Sequence, residues 1–124
     1  MLSIGINNLF VLSVYCISGL LVSSVTRSKL APVAPWGVFS VHMVQTIVIF
    51  ISHTHWMGLL PCLALVLPHA WLEIPGLVLG CIAGVKLYRG QRPFTLIAVA
   101  AMLIIIAAYV ETYITPFPLG HWLN

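Results

Sequence analysis

Leu67-Pro68-His69-Ala70-Trp71-Leu72-Glu73-Ile74-Pro75-Gly76 places a carboxylate, an imidazole and two prolines inside the most apolar half of the chain. The whole sequence holds only two acidic residues, Glu73 and Glu111. In hydrocarbon an ionisable side chain costs several kcal/mol unless it is paired or faces a wet cavity. Glu73 therefore needs a justification, and the surrounding sequence is the scaffold that supplies it.

Outward from this stretch the chain stays apolar. Hydrophobic residues make up 61% of its 124 residues and charged residues 6%, where a soluble domain carries about a quarter. Long apolar runs with charges confined to short connectors predict an all-α, polytopic bundle in a lipid bilayer, one transmembrane domain over residues 1–124. The five basic residues, Arg27, Lys29, Lys86, Arg89 and Arg92, are too few and too near the membrane for a nucleic-acid footprint. Cys16, Cys62 and Cys81 sit in apolar runs without CxxC spacing and read as small hydrophobes. No basic region precedes the first apolar run, so a retained span is expected there and not a cleaved leader.

Four spans are predicted, at about residues 9–25, 36–52, 68–88 and 93–115. Asn7 or Asn8 is placed to cap the first. In the second, His42, Gln45 and Thr46 are expected to turn toward the bundle, with Trp36 as an interfacial anchor and 53–56 as a connector. The apolar stretch from Gly58 to Tyr88 would make a helix of about 46 Å, beyond a ~30 Å hydrocarbon core. Pro61, Pro68 and Pro75 predict that it is broken, with a short interfacial or re-entrant segment at about 59–67. The tail from Pro116 to Asn124 is expected at the interface. The connectors at 26–35 and 86–93 contain every lysine and arginine, so the positive-inside rule puts both in the cytoplasm, N-out and C-out.

This topology brings distant polar residues to one depth. Glu73 lies ~22 Å along its helix from Tyr88, and Glu111 ~27 Å from Pro93, so both belong to the outer half of the membrane. His69 shares the face of Glu73 one turn further out, and Asn7, Asn8, His53 and His55 are at the same side. Three readings of this layer of Asn7, Asn8, His69, Glu73 and Glu111 stay open. It is a polar network that fixes helix packing, a proton or ion pathway through Glu73 and Glu111, or a metal site of His53, His55, His69 and Glu73. No tight ligand motif marks a metal, and the sequence demands no cofactor.

Below Glu73, Gly76, Gly80 and Gly84 recur every four residues and fall within about 80° of arc on the stripe of His69 and Glu73. Small residues at this spacing let another helix approach closely in lipid, from the same chain or from another. Catalytic constellations are missing: there is no aspartate, GxSxG, HExxH or phosphate-binding loop. Catalysis by this chain alone is not expected.

Three pieces of the sequence resemble motifs of the stage II sporulation protein M family of integral membrane proteins. Ile6-Asn7-Asn8-Leu9 is similar to its Asn-Asn motif at the head of a span. The stretch from Leu67 to Gly76 resembles its Pro-His-Gly-x-x-Glu-x-Pro-Ala signature, with Ala70 and Gly76 exchanged small for small. Glu111-Thr112-Tyr113-Ile114-Thr115-Pro116 resembles its closing Glu-x-x-Ile-Thr-Pro. The family's namesake is similar to a scaffold holding peptidoglycan-remodelling enzymes during engulfment. The resemblance implies a non-catalytic, multi-pass subunit in a prokaryotic plasma membrane, partnered by other membrane subunits or by its own copies. The resulting expectation is a scaffold or accessory subunit that packs partner helices on its glycine face and polar layer. A transporter or ion-conducting component and a metal-binding subunit of a membrane redox enzyme are the alternatives.

Overall fold

Lipid offers no hydrogen-bond partner to an open backbone, so long apolar segments close their hydrogen bonds within helices. In the computed structural model, which describes residues 2–26 and 30–114, these are α1 (Leu2–Thr26), α2 (Ala34–Met57), α3 (Leu59–Tyr88) and α4 (Phe94–Tyr113). Each holds a segment long and apolar enough to cross a membrane. A 3-10 turn, Ala31–Val33, leads into α2.

Helix α3 is the axis of the bundle. It packs on α1, α2 and α4, whereas α2 and α4 do not touch among the described residues. Its glycines set the register. A β-carbon on Gly76 would meet Ile104 Cγ1 at 3.0 Å and the Ala100 carbonyl at 3.2 Å, so α4 fills that position. Gly80 faces the Leu12 side chain of α1, and Gly84 faces the Tyr15 and Cys16 carbonyls together with Pro35 of α2. Gly19 closes the same end, beside the Ala31 carbonyl and Tyr88. The α1–α2 connector and the C-terminal end of α3 are therefore neighbours. The core follows from this register: Leu12, Tyr15 and Cys16 of α1 interlock with Leu77, Cys81 and Ala83 of α3 and with Ala100 and Ile104 of α4.

Several sequence expectations are corrected here. Helix α3 is not divided at Pro68: it runs from Leu59 to Tyr88 with Pro68 and Pro75 inside it, and residues 59–67 form its opening turns. Pro61 falls in the first turn, where a missing N–H costs nothing. Pro68 and Pro75 each remove one bond, leaving the Ala64 and Trp71 carbonyls without an intrahelical donor, and the rest of the ladder carries the helix past them. The span before it is longer than expected, because α2 continues through His53, His55 and Trp56 to Met57. Only Gly58 then separates it from α3, at φ 86°, ψ 162°, an extended positive-φ conformation that glycine adopts without strain. Asn7 and Asn8 do not cap α1, which already begins at Leu2. Gln45 does not join His42 inside the bundle; it is exposed, as is Thr46, whose hydroxyl bonds the His42 carbonyl at 3.0 Å. Arg27, Lys29 and the tail from Pro116 lie outside the described residues.

Candidate functional site

Antiparallel packing of α2 and α4 on α3, with α1 running parallel to it, stacks distant residues at the depth of Glu73. The Glu73 carboxylate interacts electrostatically with His69 one turn away on its own helix, with Glu111 of α4 and with His42 of α2. Tyr15 of α1 completes the surround. It is fully buried, its ring meets Phe39 and His42 edge to face at 6.2 and 6.1 Å, and it too interacts with Glu73. Among the described residues, Tyr15 Oη and His69 Nδ1 are buried polar atoms without a hydrogen-bond partner. Buried polar atoms are rarely left so, and such orphans mark a site for water or a ligand.

The other residues singled out in the sequence are distributed more widely. Asn8 is half-buried one turn before Leu12, which places it level with Gly76; Asn7 is exposed. His53 turns its Nδ1 back to the Ile49 carbonyl at 2.8 Å, and because a carbonyl only accepts, that nitrogen carries the proton. His55 is exposed and meets Trp56 edge to face at 6.0 Å. The four residues weighed as metal ligands therefore do not converge: among the described residues no three histidine, cysteine or carboxylate side chains are placed to hold a metal ion. Gly76, Gly80 and Gly84 are covered by α1, α2 and α4 of the same chain. A second chain has no room on that face.

Tyr15 and His42 are the members that reading the sequence leaves out of the layer. A signal for Tyr15 existed: Leu12, Tyr15, Cys16 and Gly19 recur at the spacing of one helical stripe, the stripe that packs on α3. Below the layer the interior is mainly apolar, built from Leu77, Cys81, Ala83 and Gly84, and the buried Ser18 hydroxyl there donates to the Tyr15 carbonyl at 3.0 Å. The cysteines there are spent on backbone contacts, Cys81 Sγ to the Pro35 carbonyl at 3.5 Å and Cys16 Sγ to the Gly80 carbonyl at 3.8 Å. Lys86, Arg89 and Arg92 stand at the far end of α3, so no described lysine or arginine neutralises Glu73.

The family model of stage II sporulation protein M matches residues 1–116, which span all four helices and every member of the polar layer. The chain belongs to the stage II sporulation protein M family. Comparison with curated proteins and with solved structures gives no match. As a family member with four helices long and apolar enough to cross a membrane, the protein is a multi-pass protein of a prokaryotic plasma membrane.

Proposed function

We propose that this family member is a scaffold or accessory subunit of a larger membrane complex, and that it meets its partners through α2. The observation that carries this reading is the uneven burial of the spans: 6% of the α2 span is buried against 28% of the α1 span. Val41, Val44, Val48 and Ile51 line its open flank. The glycine face, the other surface suited to close helix packing, is already occupied within the chain. In this reading the polar layer fixes how α1, α2 and α4 are set on α3. Both basic connectors lie in the cytoplasm, N-out and C-out, as the positive-inside rule directs. Conduction through Glu73 and Glu111 draws no comparable support, because the apolar interior below Glu73 offers no relay toward the other face.

Gentle purification from native membranes, with mass determination and identification of the chains retained, tests the proposal. A stoichiometric hetero-assembly that is lost on placing a bulky polar residue at Val44 supports it. A stable assembly of this chain alone, or a monomer, overturns it.

A further inference from the structure

A lateral groove of about 740 Å3 opens between α2 and α3 and reaches the last turn of α4. Along α2 it extends from Met43 to His53, about 15 Å of helix. That is the depth of one leaflet of a ~30 Å hydrocarbon core. Its walls are apolar, with Met43, Ile47 and Phe50 of α2 opposite Leu63, Val66 and Ile74 of α3.

Its ionisable groups are His53, His69 and Glu111, beside the buried thiol of Cys62. Glu111 sits in the last turn of α4, where a span of that length meets the membrane surface. The His53 Nδ1–H is held by the Ile49 carbonyl, which leaves Nε2 as an acceptor. His69 Nδ1 is buried without a partner. No lysine or arginine lines the groove. The site thus offers a carboxylate and imidazole nitrogens at one end and hydrocarbon elsewhere. Its polar groups do not close around a metal ion, so a larger, donor-rich cation on an apolar stem suits them.

We propose that the groove holds one phospholipid with a primary-ammonium headgroup, from the leaflet remote from the basic connectors. The acyl chain lies between α2 and α3, and the ammonium meets the Glu111 carboxylate and the His53 Nε2 at the polar end of the groove. A primary ammonium brings three N–H donors to these acceptors. A choline headgroup brings none, and a glycerol headgroup brings no positive charge to the Glu111 carboxylate. The groove and the open flank of α2 are separate surfaces, so this proposal stands independently of the scaffold reading.

The test is native mass spectrometry of the full chain in mild detergent, with phosphatidylethanolamine, phosphatidylcholine and phosphatidylglycerol added in equal amounts. The expected result is one phosphatidylethanolamine retained per chain at energies that strip the other two. Glu111→Gln should lower that retention roughly tenfold, as loss of one charge-assisted hydrogen bond does. Ile47→Trp, which fills the groove, should abolish it. Equal retention of the three lipids, preference for phosphatidylglycerol, or unchanged retention in Glu111→Gln overturns the proposal. So does a copurifying polypeptide that crosslinks from position 47. If either variant fails to fold, the headgroup order of the native protein decides the matter alone.

Discussion

Gly84 of α3 and Tyr15 of α1 meet backbone to backbone: a β-carbon built on Gly84 would lie 2.5 Å from the Tyr15 carbonyl oxygen. An oxygen held in a helical backbone cannot swing aside, and the next obstacles are Pro35 Cγ at 3.0 Å and the Cys16 carbonyl at 3.2 Å. Gly84→Ala should therefore destabilise the bundle by about 1–3 kcal/mol, the usual cost of overpacking. Gly80→Ala should cost less, because the atom in its way is the end of the Leu12 side chain, which can turn about its own bonds where a helical carbonyl cannot. Thermal unfolding of the two variants in detergent checks the order; the reverse order would refute this register of α1 on α3.

Tyr15→Phe keeps the ring contacts to Phe39 and His42 and removes a buried hydroxyl that has no partner. Its expected effect is neutral to stabilising, by up to about 1 kcal/mol, since an unsatisfied buried hydroxyl is a cost to the folded state. A clear loss of stability in the same unfolding assay would instead mean that ordered water joins Tyr15 to Glu73.

All three cysteines are buried: Cys16, Cys62 and Cys81. A thiol must be exposed and ionised to react. The native protein should take up only a trace of a thiol-alkylating reagent, and the denatured chain should take up three equivalents, read by mass. Rapid labelling of Cys62 in the native state would show that the α2–α3 hairpin opens.

Quiet native thiols make the orientation accessible to single added cysteines. Gln91, in the α3–α4 connector, and His55, near the opposite end of α2, are both exposed. An impermeant thiol reagent should label Gln91→Cys from the cytoplasmic side alone and His55→Cys from the outer side alone. The opposite pattern would invert the proposed topology.

Most of the architecture was legible because hydrophobicity alone decides which segments leave water. The length of each helix was harder to read. His53, His55 and Trp56 look like a connector because polar residues usually end a span, yet they continue α2, whose Ile49 carbonyl already takes the His53 Nδ1–H. Pro68 and Pro75 look like breaks because each deletes a hydrogen bond, but one lost bond per two turns does not outweigh the remaining ladder. Asn7 and Asn8 resemble a cap in isolation; the apolar residues before them extend the helix past that point. The proximity of Glu73, His69 and Glu111 followed from counting residues. The role of Tyr15 did not, because its burial depends on which face of α1 meets α3, a fact of tertiary packing.

The length of α3 bears on where in a membrane this protein resides. Its 30 residues make a rod of about 45 Å. Beside it, the 20 residues of α4 make one of about 30 Å. The contact of Gly76 with Ala100 and Ile104 holds the two in register and leaves the greater part of the surplus at the Gly58 end, with Trp56 85% and Leu60 70% exposed. One flank of the protein is thus cut to an ordinary bilayer and the other to a thicker one. Lipid chains beside the long flank must stretch, at a fraction of a kcal/mol for each ångström. Membrane patches made of longer-chain lipids should gather this protein, which would make acyl-chain length a determinant of its position in the cell.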